Sequence, residues 1–406
     1  MNLCLLNNIF LAKIQFLFQH GLCIEKGMRL KMKGRVILLV IDGMGIGAMS
    51  DFVDKSANTL RSILNYNNDF HVINKLLLGQ INNLYTKNIK YKRLNLGYVG
   101  ADSLLGHMEM IGVEPVKKTT YICDFKKKIY EKFESKNNIC DYGDFISLNG
   151  NKIIISNNIE GELGVGINVL GDLDKIRYEE VLKIGKLVSK ISTAPRVLAM
   201  AANTIRQFEL EKCIEERMSF DNDIVRGIVI SKTGIYKRNY MVQNIINLGE
   251  KQENLINGFL KQGYEVSLIG KTADFFSTEY THNFPEIDTN KIINRIEKIM
   301  NVQKNGFIYA NIQEIDLAGH AQDVQKAYQI LKIIDNEIIK IISCMNPKDI
   351  FIISADHGND PNIGHSYHTR EQVPLVMIGE NLYDIKNERA YLNEIFNIIS
   401  KNYIIK

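Results

Sequence analysis

The chain is 406 residues long, 45% hydrophobic and 24% charged, with a net charge of +4; the length predicts two or three domains with ample core, and the composition is that of an ordinary globular protein. The small charge comes without a long basic block, which argues against nucleic-acid binding, although a locally positive cleft would still draw small anions. Six cysteines (4, 23, 123, 140, 213 and 344) are scattered without a CxxC pair, so a reduced, cytoplasmic setting is expected and a disulfide framework is not.

Taken in chain order, Leu5 to Leu22 is fairly apolar, but no Lys or Arg precedes Lys13, that lysine interrupts the run, and no small-residue cleavage site follows. It reads as neither signal peptide nor membrane anchor. Residues 1–31 are expected to be an extension, with Met28 and Met32 as candidate translation starts. A first core part follows at 32–117, with a strand at 35–41 running into Asp42-Gly43, helices near 58–66 and 71–78, a turn at Gly97 and Gly100, and a helix at 105–112. Between 118 and 244 the texture changes. Lys126-Lys127-Lys128 reads as a solvated helix face, followed by a strand at 152–156, a glycine-rich loop (Gly161, Gly164, Gly166), a helix at 178–191, a charged helix at 198–218 and a strand at 225–231. No metal-type cluster lies there, so 118–244 is expected to be an inserted α+β domain, which leaves both halves of the parent sheet free to close around one core.

A second core part is expected over 245–406: helix 251–262, strand 264–269, helix 288–301, strand 306–311, long helix 321–344, strands 349–354 and 373–378, and helix 391–401. This alternation predicts an α/β fold whose mainly parallel sheet is covered by helices on both faces. In the long helix Ala327, Ile330, Leu331, Ile334, Ile338 and Ile341 recur at three and four residues, the spacing of a packed face.

Three strand ends carry ligand-type residues: Asp42, then Asp316 with His320, then Asp356 and His357, with His368 shortly after. Parallel strands bring such ends to one crevice. Three aspartates and three histidines without a nearby cysteine suit Mn²⁺, Zn²⁺ or Fe²⁺, and six ligands suit a pair of ions, the usual apparatus of in-line phosphoryl displacement. The bland alternative makes each Asp a helix cap and each His a satisfied core residue. Ser103 stands where a glycine-flanked turn enters an apolar helix and reads either as a nucleophile or as part of that helix's cap. His107 and Glu109 could orient a phosphate or point outward. Lys271, just past a strand end, could contact a substrate phosphate or be a solvated loop residue; His365 and Tyr367 lie in the loop before His368. His20, His71 and His282 fall in no pattern.

VIDGMGIGAMSD (40–51), NTL (58–60), GADSLLGHMEMIG (100–112), IGK (269–271), DLAGH (316–320) and SADHGNDPNIGHSYHTREQVP (354–374) resemble, in order and spacing, the phosphopentomutases of the alkaline phosphatase superfamily. The resemblance implies an alkaline-phosphatase-like core in which Asp316, His320 and His368 hold one Mn²⁺ while Asp42, Asp356 and His357 hold the other. It places Ser103 on the family's threonine nucleophile and implies ping-pong transfer through a phosphoserine, with a sugar bisphosphate as activator and the 118–244 segment as a cap over a small phosphorylated sugar. Neither a nucleic acid nor a membrane is implied as partner. The chain departs from the family pattern in three places. Asp316 and His320 stand one residue closer, Asn158 replaces an acidic residue for the ribose hydroxyls, and the phosphate-gripping arginine expected around Val229 to Lys232 is replaced by Lys232, a point charge without the bidentate fork. A phosphatase or phosphonate hydrolase built on the same site is the alternative activity, and a non-catalytic homologue is a third reading.

Overall fold

The computed structural model describes residues 34–133, 139–205, 207–219, 223–235, 238–247, 254–382 and 390–403. The extension expected at 1–31 and the starts at Met28 and Met32 lie outside them.

Arg35–Ile41 is apolar without alternation after its first residue and is buried at all seven positions, as a strand covered on both faces must be. It runs mid-sheet, parallel to Gly306–Ile312 on one side and to Ile350–Ser354 on the other. Val266–Ile269 and His282–Phe284 extend the parallel array. Val373–Gly379, Lys87–Leu94 and Asn83–Leu84 complete the eight strands as an antiparallel edge. Arg35 locks the amino ends of two central strands together: its backbone N–H donates to Asp349 Oδ1 at 2.8 Å and its Nε to Oδ2 at 3.0 Å.

Helices Thr289–Val302 and Val324–Ser343 pack on each other, and the second also packs on Thr59–Tyr66. Ser103–Met110, Leu255–Lys261 and Glu394–Tyr403 form another cluster. In Val324–Ser343 the expected face is the buried one, Ala327, Ile330, Leu331, Ile334, Ile338 and Ile341. The helix begins after Asp323, whose carboxylate accepts the Lys326 N–H at 2.8 Å.

A second, six-stranded sheet is built from Ile139–Asp141, Phe145–Leu148, Ile153–Asn157, Gly166–Asp172, Arg196–Ala202 and Tyr240–Ile246. Alternate residues face opposite ways, as strand geometry requires. Ile153 and Ile155 join a core with helices Ile122–Phe133 and Tyr178–Ser192, while Ile154 joins a separate cluster with Leu170, Met200 and Ile228. A two-stranded hairpin, Ile214–Met218 with Ile224–Ile228, stands beside it.

This layer departs from expectation in detail. The charged helix expected at 198–218 is a strand (Arg196–Ala202), a short helix (Gln207–Glu211) and a second strand (Ile214–Met218). Alanine, leucine and methionine favour helix locally, but Val197, Ala199 and Ala201 fill one core while Met200 and Ala202 fill the other; burial on both faces overrides propensity. Gly166 opens a strand and is not a loop residue, and the strand expected at 225–231 ends at Ile228. Among the described residues no helix is long and apolar enough to cross a membrane.

Candidate metal centre and nucleophile

The parallel register sets the site. Val40 is paired with both Asn311 and Ser354, so Asp42, Asp316, Asp356 and His357 all emerge at the same end of the sheet. Gly43 (φ +74°) lets them converge: a side chain there would put its Cβ 3.1 Å from Asp316 Cα and 3.3 Å from Asp316 Cβ, in a left-handed conformation that glycine tolerates best.

One trio comprises Asp316, His320 and His368. The Nε2 atoms of His320 and His368 each lie 3.4 Å from an Asp316 carboxylate oxygen. A second comprises Asp42, Asp356 and His357, with His357 Nε2 3.5 Å from Asp42 Oδ1 and 3.5 Å from Asp356 Oδ2. The trios adjoin, because ligand atoms of Asp42, Asp316 and His357 lie within 4.8 Å of one another. Thus all six expected metal residues meet in one place.

All three imidazoles are held the same way. His320 Nδ1 lies 2.7 Å from the Ser366 carbonyl, His357 Nδ1 3.0 Å from that of Gly358 and His368 Nδ1 2.8 Å from that of Ala101. A carbonyl only accepts, so each Nδ1 carries a proton and each ring turns its Nε2 toward the carboxylates. Among the described residues, His357 Nε2 and Asp42 Oδ1 are buried without a hydrogen-bond partner. Buried electron-pair donors facing one another need a proton or a cation between them, and this donor set fits divalent ions.

Charge supports the same conclusion. Burial pushes Asp42 up, yet Lys271 and neighbouring imidazoles outweigh it and leave the carboxyl below its ordinary pKa. Burial and then the Asp42 charge hold Asp356 well above the usual carboxylate range. Lys271 Nζ lies 2.6 Å from Asp42 Oδ2 and 3.7 Å from Asp316 Oδ2. Desolvation opposes its charge, but the carboxylates raise its pKa further. One lysine therefore faces three clustered aspartates, whose mutual repulsion and burial favour a proton on one of them; cations would let all three ionise.

Ser103 is the first residue of helix Ser103–Met110, and the cap is Asp102, whose side chain accepts the Leu105 N–H at 3.1 Å. That leaves the serine hydroxyl free to face the cluster. Its Oγ lies 2.6 Å from Asp356 Oδ2, 3.2 Å from Lys271 Nζ and 3.4 Å from Asp42 Oδ2.

Other expected residues are placed differently. His107 is wholly buried beside Asp42 and Asp356, its Nε2 3.7 Å from Asp356 Oδ2, and is bonded through Nδ1 to the Tyr309 hydroxyl and through Nε2 to the Asn311 amide at 2.9 Å; burial lowers its pKa to about 3. Glu109 accepts backbone N–H groups of Gly97 and Asn393. Asn158 Oδ1 accepts the N–H groups of Glu160 and Gly161, each at 3.1 Å, and so builds its own turn. Lys232 pairs with Glu215 on the exposed hairpin. His365 accepts the Tyr367 N–H in an exposed loop.

Several supporting residues carried no spacing signal. Asn311 Nδ2 donates to Asp42 Oδ2 at 3.0 Å, and Asn359 Nδ2 donates to Asp316 Oδ1 at 2.9 Å. Asn311 interrupts an otherwise apolar buried strand, and that interruption is the signal that could have found it.

A sheet edge gathering acidic and imidazole donors around a serine defines a metal-dependent phosphoryl-transfer enzyme, and the Metalloenzyme superfamily model matches residues 34–405. Within it, the chain belongs to the phosphopentomutase family as a divergent member. A phosphopentomutase of Alkaliphilus oremlandii is 31% identical over 381 residues, covering 86% of this chain and 90% of its own. One of Symbiobacterium thermophilum is 29% identical over 372 residues, covering 85% and 88%. Among solved structures, phosphoglycerate mutase of Leishmania mexicana aligns over 94% of this chain and 97% of its own, with a TM-score of 0.48 and 11% identity. The protein is a metalloenzyme phosphomutase, an intramolecular phosphotransferase.

Proposed function

We propose that the enzyme moves a phosphoryl group between positions of a small phosphorylated sugar, ribose 1-phosphate and ribose 5-phosphate or a close relative, through phospho-Ser103. The observation that carries this reading is the position of Ser103 Oγ, 2.6 Å from Asp356 Oδ2 and 3.2 Å from Lys271 Nζ.

Two divalent ions, Mn²⁺ by preference, would be held by Asp316, His320 and His368 and by Asp42, Asp356 and His357. Bound there, they would supply charge stabilisation for the transferring phosphoryl group and its entering and leaving oxygens. The chain's own residues do the rest. Lys271 and the N-terminus of helix Ser103–Met110 offset the charge of the phosphoserine. The phosphoryl group passes from Ser103 Oγ to the free hydroxyl of a sugar monophosphate, giving a bisphosphate and a free serine hydroxyl. The bisphosphate then returns its other phosphoryl group to Ser103 and leaves as the isomer. A sugar bisphosphate primes the cycle by phosphorylating Ser103. The segment 118–244 acts as the cap, keeping water from the phosphoserine while the bisphosphate turns over.

The test is incubation with ribose 1-phosphate, Mn²⁺ and a sugar bisphosphate, followed for ribose 5-phosphate. Absence of conversion would remove the pentose substrate. Free phosphate from many monoesters without any isomer would establish the hydrolase in place of the mutase.

A further inference from the structure

We infer that Glu162 and Arg196 are positioning residues that latch the 118–244 segment onto the nucleophile's helix and thereby govern whether phospho-Ser103 transfers to a sugar hydroxyl or to water. This rests on the mutase reading above.

The loop Gly100–Asp102 leads directly into Ser103 and is gripped from two sides. From the large sheet's side, His368 Nδ1 donates to Ala101 O at 2.8 Å and Arg370 Nη1 donates to Gly100 O at 2.6 Å. From the other side, Glu162 is packed against the loop's backbone. It lies so close to Gly100 that a Cβ on that glycine would stand 2.5 Å from Glu162 Oε1. Arg196, at the start of its strand, holds Nη2 3.7 Å from Asp102 Oδ2, while the other oxygen of Asp102 caps the Ser103 helix. The loop thus meets Glu162 at Gly100 and the metal-type ligand His368 at the Ala101 carbonyl, and Asp102 joins Arg196 to the helix that carries Ser103.

The turn that presents Glu162 is the one Asn158 builds through Glu160 and Gly161. A third contact lies alongside, the Arg217 guanidinium 4.4 Å above the Tyr367 ring. Glu162 and Arg196 therefore find their partners only when the segment is down over the site, and that closed arrangement is the one that excludes water. With the latch weakened, water reaches the phosphoserine more often. The phosphorus–Ser103 oxygen bond then breaks toward water, giving inorganic phosphate and the free hydroxyl, in place of transfer to the sugar.

The experiment follows ribose 1-phosphate with a sugar bisphosphate and Mn²⁺, measuring ribose 5-phosphate and inorganic phosphate together. Glu162→Ala and Arg196→Ala are expected to raise the ratio of phosphate to isomer about tenfold, the effect of losing one charged contact, and Arg196→Lys should recover most of it. Amide hydrogen exchange over Ala101–Leu105, measured on the metal-free protein, should be faster in both alanine variants than in the wild type. An unchanged ratio in variants that still make isomer overturns the latch. If the wild type makes no isomer, the mutase reading falls, and the exchange measurement decides the latch by itself: equal protection in wild type and variants sinks it.

Discussion

His320 and His368 bring their Nε2 atoms to 3.1 Å from each other, although each ring has its proton committed on the opposite nitrogen to a backbone carbonyl. With both Nε2 atoms and the Asp316 carboxylate turned toward one another, the arrangement needs a shared proton or a metal cation among the three, and three such donors suit a metal cation. Replacing His320 or His368 by alanine should reduce bound Mn²⁺ from two ions per chain to one, measured by metal analysis after gel filtration. Retention of both ions in each variant would show that the trio is not a site.

Ser103→Ala should lower isomer formation by about a thousandfold or more, since the group that carries the phosphoryl is gone. Ser103→Thr keeps the hydroxyl and should stay within about tenfold of wild type, because a single added methyl is a small volume change. Intact-mass measurement after incubation with a sugar bisphosphate should show one added phosphoryl group in the wild type and none in Ser103→Ala.

Asn311→Leu removes the amide that holds Asp42 Oδ2 and leaves buried His107 Nε2 without its donor. Loss of such a supporting hydrogen bond should weaken Mn²⁺ binding about 10- to 100-fold, read by calorimetric titration. Wild-type affinity in this variant would mean that Asp42 is held by packing alone.

Lys271→Met separates binding from chemistry. With the ammonium gone from among three carboxylates, divalent ions should bind at least as tightly as before, while isomer formation falls about a hundredfold or more for want of the charge facing Ser103 Oγ. Equal loss of ion binding and activity would contradict this division of roles.

His107 gives the stability a pH dependence. Its folded-state pKa is depressed to about 3 by burial, so at neutral pH the ring is uncharged in both states. As pH falls below about 6.5 the unfolded chain takes up a proton that the folded one refuses, and stability is lost progressively down to about pH 3, by at most about 4–5 kcal/mol from this group. Denaturant titrations across that window should show a steeper acid loss in the wild type than in His107→Asn.

The clustering of the acidic and imidazole residues was legible because they stand at strand ends. Asp42, Asp316, Asp356 and His357 each follow an apolar run, and a parallel sheet needs no further information to bring them together. Ser103 was legible as a turn residue entering a helix, although only the structure separates its role from that of Asp102. The 198–218 region was misread because a strand buried on both faces shows no alternation, and Ala, Met and Leu then speak for helix. Glu162 and Arg196 were silent for a different reason. Each acts through a partner distant in sequence, and nothing in the local pattern of a chain announces a contact across two layers.

The ladder joining Val40 to Asn311 and to Ser354 works as a ruler. Sliding one central strand by a single residue would turn its whole set of side chains to the opposite face, and the buried Arg35–Asp349 pair at the far end of the same strands resists that slide. The ruler lies wholly in strands outside 118–244, so the spacing of Asp42, Asp316 and Asp356 is set without that segment, whose Glu162 and Arg196 reach only the loop before Ser103.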